Sequence, residues 1–320
     1  MAKRKLRAGI IGCGAIARSH MKAYQDNGVE ITALFDVSPE AAQAMAKESG
    51  NQKVKCHATA AELIASGTVD MVSICTPPVA HEDAAIAAVK AGLHVLCEKP
   101  LAHSTASAKK IRNAAKKGKS VFMVAFRHRF IAANRKIKEL IESGALGKLV
   151  MFRNVFGGPA FGMKDRWFTR REISGGGCLL DTNAHSVDLF RFLVGEVVEQ
   201  HAVMHQHFEN TDVEDVGLMV LKAKNGAVGS VGSGYVLGDG MAFIDITGQD
   251  GRVIFDYFKG SEIRWKKRGE TEWRIETVEV GNGFNEQAVH FLSVIGGKEK
   301  LQITADDGLR CQEIIQSNYR

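Results

Sequence analysis

The chain of 320 residues has no apolar run approaching the ~20 residues of a membrane-spanning helix, so no membrane span is predicted. It has no long cationic run or basic repeat, and its net charge is only +6, which argues against a nucleic-acid partner. Internal repeats and low-complexity segments are absent as well. With 45% apolar and 24% charged residues, the composition indicates an ordinary globular protein long enough for two domains.

The six cysteines form no C-x-x-C pair, and several lie in apolar segments where Cys acts as a small hydrophobic residue. We therefore expect no disulfide framework, no zinc site and a reducing, cytoplasmic compartment. Basic residues from Lys3 to Arg7, followed by the apolar run 8–17, resemble a secretory signal. Cleavage there would remove the first predicted strand and the glycine turn after it, so we do not expect export.

Residues 8–36 contain the first informative pattern, which predicts a strand, a glycine turn, a helix and a second strand. A pyrophosphate needs backbone N–H groups at close range, and Gly12 and Gly14 permit that approach. Ala17 is small enough for helix and strand to touch, and the unpaired N–H groups at the helix start favour an anion. The predicted pyrophosphate-binding residues are Gly12, Gly14, Ala15, Ile16 and Ala17.

Asp36 follows Gly14 by 22 residues, at the end of the second predicted strand. A carboxylate at that place can accept hydrogen bonds from both ribose hydroxyls of a dinucleotide. The same carboxylate would repel a 2′-phosphate, so we predict NAD as the cofactor in preference to NADP.

Strands and helices alternate up to residue 126, which predicts an α/β fold with a right-handed, doubly wound parallel sheet. Ligands of such sheets bind at the carboxyl ends of the strands. Four residues follow predicted strand ends and should line one crevice: Gly12, Asp36, Thr76 and Lys99. The same segments supply three further candidates for cofactor binding: Pro77, His81 and Glu98.

Closely spaced strand-like segments follow, separated by turn signals such as Gly238-Asp239-Gly240. They predict a second domain of α+β type with a large, mainly antiparallel open sheet. We place the nucleotide-binding domain at residues 1–126 and the second domain at 127–320. The helices predicted at 286–295 and 305–318 are expected to pack back on the molecule.

A second polar cluster occurs in residues 174–195, where helical periodicity is strong from Leu179 onward. Asp181, His185 and Asp188 are spaced i, i+4 and i+7, so they are expected to form one stripe on a largely buried helix. A buried acid and imidazole are costly unless paired or used, and the preceding Gly-Gly-Gly permits close approach. We therefore predict a functional site rather than a structural His–Asp pair. A metal site is not predicted, because this spacing supplies only two ligands.

Four motifs occur together: the glycine turn at 8–17, Cys75-Thr76-Pro77-Pro78, the run 91–102 containing Glu98-Lys99-Pro100, and the Gly-Gly-Gly…Asp…His…Asp segment. Together they resemble the glucose–fructose oxidoreductase/inositol dehydrogenase/rhizopine-catabolism (Gfo/Idh/MocA) family. The resemblance implies a Rossmann domain followed by a domain whose open sheet forms subunit interfaces. It also implies NAD(P)-linked oxidation or reduction of a sugar, cyclitol or related hydroxy compound, with Lys99, Asp181 and His185 as the catalytic set.

The chain departs from the family pattern at two positions. Asn183 stands where the family often has Gly, and Ala132 replaces a proline. Neither departure touches the catalytic set, but Asn183 can alter the shape of the substrate pocket. Candidate substrate contacts flank the motifs: Arg127, His128, Arg129, Asn154, Arg166, Trp167 and Asn183.

His201, His205 and His207 share one face of a predicted strand. We interpret them as part of a polar sheet face, with a metal site or a pH-sensitive interface as the alternative.

His185 is the predicted general base, because the pKa of an imidazole lies near neutral pH. Lys99 would stabilise the negative charge that develops on the substrate oxygen, and Asp181 would orient either Lys99 or the imidazole. The favoured function is an NAD-dependent sugar or cyclitol dehydrogenase, inositol-dehydrogenase-like, assembled as a homodimer or homotetramer through the open sheet. The alternatives are an NAD-dependent glycosidase that oxidises its sugar transiently, and a non-catalytic dinucleotide-binding regulator.

Overall fold

The computed structural model describes residues 5–163 and 166–319. Lys3 and Arg4 of the signal-like segment lie outside the described residues. The chain forms two compact units, the first comprising residues up to Arg127 together with Phe284–Arg310 and the second His128–Gly283 together with the residues from Cys311 onward. This division differs from the predicted domains 1–126 and 127–320, because 284–310 belongs with the first unit. No helix within the described ranges has the length and apolarity needed to cross a membrane.

The first unit is built on a six-stranded parallel sheet. Its strands are β1 (Arg7–Ile11), β2 (Glu30–Phe35), β3 (Lys55–Cys56), β4 (Met71–Ile74), β5 (His94–Cys97) and β6 (Phe122–Val124). The order β3-β2-β1-β4-β5-β6 confirms the predicted doubly wound sheet. Strand β4 is buried throughout, as the apolar composition of a central parallel strand requires.

The helices between these strands are α1 (Ala15–Asp26), α2 (Pro39–Glu48), α3 (Ala60–Ala65), α4 (His81–Lys90) and α5 (Thr105–Lys117). Three of them begin after a capping side chain, since Ser38, Thr59 and Ser104 each accept a hydrogen bond from a first-turn N–H. Helix α1 differs, because Gly14 at its start offers no capping side chain.

The second unit contains an eight-stranded sheet. Its strands are β7 (Leu149–Pro159), β8 (Val197–His205), β9 (Val216–Ala223), β10 (Val228–Gly234), β11 (Val236–Gly248), β12 (Gly251–Asp256), β13 (Glu262–Lys267) and β14 (Arg274–Thr277). The order is β14-β13-β12-β11-β7-β10-β9-β8, in which β7 and β10 run parallel and the other neighbouring pairs run antiparallel. The predicted mainly antiparallel sheet is confirmed.

The turn predicted at residues 238–240 is wrong, because these residues lie inside the long strand β11. The pairing of β11 with β7 shifts in register between Val236 and Met241, so the glycines occupy an irregular part of one strand. Glycines in a strand can mark a bulge as well as a turn.

The helices that lie wholly in the described part of the second unit are α6 (Ala132–Glu142), α7 (Arg171–Ser174) and α8 (Asn183–Leu193). Helix α8 begins four residues later than predicted. Residues 177–182 instead form tight hydrogen-bonded turns, in which the Asp181 N–H donates to the Gly177 carbonyl at 2.9 Å. Asp181 therefore precedes the helix that carries His185, and the predicted three-residue helical stripe is wrong at its first member.

Helix α8 packs closely against its sheet. The ring of Phe190 meets Phe152 of β7 edge-on, with centroids 5.4 Å apart. A Cβ at Gly229 of β10 would lie 2.6 Å from the same Phe190 ring, so glycine is required for this approach.

The last two helices are α9 (Phe284–Ile295) and α10 (Ala305–Gln316). Within the first unit, α9 packs on α1, where Asn27 Nδ2 donates to Asn285 Oδ1 at 2.8 Å. Phe284 adds an edge contact with the His20 ring at 5.8 Å.

Candidate functional site

The two glycines of the first motif serve different physical purposes. Gly12 has a φ of +90°, and a Cβ there would lie 2.8 Å from the Cys75 carbonyl and the Thr76 nitrogen. Glycine at this position therefore lets the ends of β1 and β4 touch. A Cβ on Gly14 would meet nothing within 4 Å, so this side of the turn is open to a ligand.

The N-terminus of α1 fits an anion. Gly14 provides no side-chain cap, and the first turn contains no acidic residue. Ala15 is exposed and Ile16 half-buried, whereas Ala17 is fully buried against the sheet. The first-turn N–H groups and the helix dipole thus favour a phosphate at the open side of the turn.

Asp36 is held in place by the glycine turn itself. Its Oδ2 accepts a hydrogen bond from the Cys13 N–H at 2.7 Å, and its Oδ1 accepts one from the Ser38 N–H at 2.8 Å. Each carboxylate oxygen can accept further bonds, so the group fits two ribose hydroxyls. Burial and the Asp36 charge raise the pKa of the Cys13 thiol to about 12, which keeps this thiol neutral beside the anion.

Thr76, Pro77 and Lys99 lie half-buried beyond the ends of β4 and β5. The Thr76 Oγ1 atom is buried and has no hydrogen-bond partner in the described part of the chain. A buried hydroxyl in that state is suited to a ligand's polar group.

Two of the predicted cofactor-binding residues, His81 and Glu98, are buried. His81 is fully buried, and its ring nitrogens lie 2.9 Å from the Thr76 carbonyl and 3.1 Å from the Pro100 carbonyl. Its ring therefore links the segments that follow β4 and β5. Glu98 is 6% exposed, with its Oε1 at 2.9 Å from His20 Nε2 and its Oε2 accepting from the Lys99 N–H.

In the second unit, Asp181 is hydrogen-bonded to a tyrosine that the sequence did not indicate. The Tyr235 hydroxyl, on a residue only 4% exposed, donates to Asp181 Oδ2 at 2.9 Å. Burial, and then the Asp181 charge, raise the pKa of Tyr235 well above its ordinary value. The phenol therefore stays protonated and keeps donating to the carboxylate.

His185 lies in the first turn of α8 and is 7% exposed. Its ring stacks on His128, with centroids 4.0 Å apart and planes inclined by 15°. His128 in turn meets Phe156 edge-on at 4.6 Å. The stack fixes the plane of the His185 imidazole.

Glu214 organises the Gly-Gly-Gly turn before Asp181. Its carboxylate accepts hydrogen bonds from the N–H groups of Gly177 and Leu179, at 3.1 and 3.0 Å, and from the Tyr319 hydroxyl at 2.7 Å. A Cβ on Gly177 would lie 1.7 Å from the Glu214 carbonyl oxygen. The glycines are predicted to permit a close approach, and here it is the Glu214 backbone that approaches Gly177.

Arg129 and Asp188 form a buried ion pair rather than part of a reactive surface. Arg129 Nε donates to Asp188 Oδ2 at 2.8 Å and Nη2 donates to Oδ1 at 2.6 Å. Their side chains are 8% and 1% exposed. The predicted substrate contact Arg129 thus has two of its guanidinium nitrogens in a bidentate pair inside the unit.

Two asparagines among the candidate substrate contacts are buried. Asn154 Nδ2 donates to the Phe243 carbonyl at 2.6 Å, whereas its Oδ1 has no hydrogen-bond partner within the described residues. Asn183 is fully buried, and neither of its amide atoms has a partner in the same part of the chain.

The remaining substrate candidates contact aromatic rings. Half-buried Trp167 stacks on Phe168 with centroids 3.6 Å apart, and exposed Arg166 lies 5.7 Å from the same ring. Arg127 belongs to the first unit, where its guanidinium lies 4.8 Å from the Phe284 centroid.

The three histidines near β8 are exposed. His207 lies beyond the strand end and places its Nδ1 3.0 Å from Asp215 Oδ1. Residues 5–163 and 166–319 contain no group of three or more His, Cys, Asp or Glu side chains that could hold a metal ion.

Two family models match the chain. A model of the oxidoreductase family with an NAD-binding Rossmann fold covers residues 6–126, and one of the GFO/IDH/MocA C-terminal domain covers residues 134–254.

Named relatives are similar over most of the chain. A levoglucosan dehydrogenase of Pseudarthrobacter phenanthrenivorans is 28% identical over 300 residues, 82% of this chain and 76% of that protein. A myo-inositol 2-dehydrogenase of Thermotoga maritima is 29% identical over 267 residues, 81% and 77% of the two chains. A solved structure of levoglucosan dehydrogenase in complex with NADH and levoglucosan matches with a TM-score of 0.90 at 26% identity, covering 98% of this chain and 97% of that one.

Proposed function

Because the chain belongs to the Gfo/Idh/MocA oxidoreductase family, we propose that it is an NAD-dependent dehydrogenase acting on a secondary hydroxyl, or the corresponding ketone, of a sugar, cyclitol or sugar derivative. The observation that carries this proposal is the group formed by Gly14, the start of α1 and Asp36, which we call the nucleotide cradle. Gly14 leaves an open side below the uncapped start of α1, and Asp36 is fixed next to it by the Cys13 amide. The relatives, named for levoglucosan and myo-inositol, support the substrate class.

The predicted residues divide the chemistry between them. Bound NAD would supply the hydride acceptor for the carbinol carbon. We assign His185 as the base that takes the hydroxyl proton, so that a ketone, reduced cofactor and protonated imidazole result. The Lys99 ammonium would donate a hydrogen bond to the same oxygen and stabilise its developing charge. Asp181, held by Tyr235, would orient one of these two groups.

A catalytic role is favoured over a purely regulatory one by the second unit. His185 and Asp181 are each held by a specific partner, the His128 ring and the Tyr235 hydroxyl. A protein that merely bound a dinucleotide would have no use for this costly polar arrangement.

The first experiment mixes purified protein and NAD with myo-inositol, levoglucosan, aldoses and sugar acids, and follows reduced-nicotinamide absorbance. NAD binding is measured separately by titration. Absorbance that rises with one substrate class supports the dehydrogenase. Binding without any rise, together with glycoside hydrolysis that requires catalytic NAD, would replace it by the glycosidase. NAD binding without dehydrogenase or glycosidase activity would favour the non-catalytic regulator.

We also propose a homodimer or homotetramer formed through the exposed face of the eight-stranded sheet. Neighbouring strands pair Val203 with Leu218 and bring Val220 and Met151 onto the same face. Large apolar side chains on this face are 43–80% exposed: Met151, Val203, Leu218, Val220 and Val228. A patch of this kind is typical of a protein interface.

A reducing, cytoplasmic location is likewise proposed. All six cysteines are free thiols, and five of them are buried. Free buried thiols are usual in proteins of reducing compartments.

A further inference from the structure

Four buried polar side chains form a continuous chain from helix α1 to the end of strand β5 in the first unit. Tyr24 and Ser73 are fully buried, His20 is 2% exposed and Glu98 is 6% exposed. The Tyr24 hydroxyl lies 2.7 Å from Ser73 Oγ, which lies 3.0 Å from His20 Nδ1. His20 Nε2 lies 2.9 Å from Glu98 Oε1, and the Lys99 N–H donates to Glu98 Oε2 at 3.1 Å.

One assignment of protons satisfies every member of this chain. An ionised carboxylate only accepts, so His20 Nε2 must carry a proton and donate to Glu98. In this assignment Nδ1 carries no proton, so the Ser73 hydroxyl donates to Nδ1 and accepts from the Tyr24 hydroxyl. Burial raises the pKa of Glu98, but His20, and then the charge and the amide of Lys99, lower it by a larger amount, so the net pKa lies below the ordinary value. Glu98 is therefore an anion that holds the Lys99 amide.

Stability alone does not account for this arrangement. A buried carboxylate with its polar partners is often no more stable than well-packed apolar residues of the same volume. Such a network does fix geometry, since every member is satisfied only while its neighbours keep their places. The geometry that it fixes is the main chain at Lys99.

We propose that His20 is a positioning residue, which through Glu98 sets the place of Lys99 relative to the cofactor-binding end of the same helix α1. This inference rests on the proposed dehydrogenase function. Helix α1 offers its N-terminus to the predicted pyrophosphate site and, one and a half turns further on, places His20 against Glu98. Hydride transfer requires that this unit bind the dinucleotide and fix the position of Lys99. Helix α1 links these two requirements, because it contributes to both.

The test uses hydrogen–deuterium exchange of the segment 95–103 in the full-length protein without substrate. His20→Leu removes the donor to Glu98 and should speed exchange of this segment about tenfold or more, because local opening becomes easier. His20→Gln places an amide N–H near the position of Nε2 and should restore most of the protection. Tyr24→Phe, the matched control, removes the far end of the chain and should leave the segment within about threefold of the native rate.

Turnover provides the second readout. In His20→Leu we expect kcat to fall about 10- to 100-fold, since a displaced catalytic group is costly, with NAD affinity within about threefold. His20→Gln should recover most of kcat, which a mere packing role would not predict. If His20→Leu does not fold, Glu98→Gln replaces it, because its amide nitrogen would face a donor.

Two results would overturn the proposal: unchanged exchange of 95–103 in folded His20→Leu protein, or a His20→Gln variant no better than His20→Leu. Exchange is measured without substrate, so it decides the inference even if no dehydrogenase activity is found. Altered exchange with no turnover on any substrate would reject the proposed function and leave the His20–Glu98–Lys99 linkage standing.

Discussion

The His185 imidazole lies almost enclosed in the second unit, stacked on His128, while the nucleotide cradle belongs to the first unit. Replacing His185 by Ala should therefore lower turnover by about 10²–10⁴-fold through loss of the general base. NAD affinity should be unchanged. Steady-state kinetics and an NAD fluorescence titration measure the two quantities.

A neighbouring residue supplies the control for this variant. Ser186 is fully buried on the same helix, and its hydroxyl has no hydrogen-bond partner among the residues described. Ser186→Ala should keep both turnover and stability. Native-like turnover in His185→Ala would remove His185 from the base role.

Asp36 is predicted to repel a 2′-phosphate, and its carboxylate also accepts hydrogen bonds from the Cys13 and Ser38 amides. Asp36→Ala should shift the ratio of NADP to NAD affinity about tenfold or more toward NADP, because the repelling charge is gone, and should weaken NAD binding. Asp36→Asn, which removes the charge but keeps an acceptor, separates the two effects. If both variants still rejected NADP as strongly as the native protein, another residue would enforce the choice.

At the scale of single residues, the sequence predicts the roles of those residues that act together with near neighbours along the chain. Gly12, Gly14 and Asp36 belong to one strand–turn–helix–strand unit, so their roles follow from local geometry. Tyr235 lies 54 positions from Asp181 along the chain, and Arg129 lies 59 from Asp188. No local pattern encodes such pairs, which form only when the sheet and α8 come together.

The turn before α8 is the element on which Asp181 depends. Its Gly177 nitrogen and the Glu214 carboxylate are hydrogen-bonded, and a Cβ at Gly177 would meet the Glu214 backbone oxygen. Because backbone yields less readily than a flexible side chain, Gly177→Ala should destabilise the protein by about 3 kcal/mol. Turnover should fall as well, since Asp181 follows four residues later.

Thermal and urea unfolding of Gly177→Ala measure this loss. Gly281→Ala is the control in the same unit, since a Cβ there meets nothing within 4 Å. Equal stability of the two variants would show that the turn relaxes without cost and that Glu214 does not hold it.

Elements differ in how far the sequence specifies them. The capped helix α2 and the buried strand β4 follow from local signals, Ser38 before Pro39 and a continuous apolar run. The start of α8 does not follow from local signals. Residues 179–182 have helical periodicity, but they form hydrogen-bonded turns that the Glu214 carboxylate stabilises. Periodicity reports burial of one face, which an irregular turn can share with a helix.

For the whole molecule, the alternation of strands and helices is enough to predict the doubly wound sheet, because connection handedness leaves few topologies. That residues 284–310 belong to the first unit could not be predicted in this way. An amphipathic helix such as α9 shows that it has a buried face but not which surface it covers, and here α9 packs on α1 through Asn27 and Phe284.

Assembly is the remaining prediction at this scale. Val220 and Leu218 are half-exposed on neighbouring positions of one sheet face, next to Val203 of the adjoining strand. Two charges placed there by Leu218→Asp and Val220→Asp should prevent association, because an interface would have to bury them unpaired. Light scattering after size exclusion should show a dimer or tetramer for the native protein and a monomer for this double variant.

Val37→Asp is the matched control, since Val37 is 90% exposed and belongs to the first unit rather than to this sheet. It should leave the native mass unchanged. A native protein that is monomeric at micromolar concentration, or a double variant that keeps the native mass, would mean that the sheet face is not the interface. Val203→Ser, which removes apolar area without adding charge, should weaken association by a smaller amount, because an interface buried through the hydrophobic effect loses stability in proportion to its apolar area.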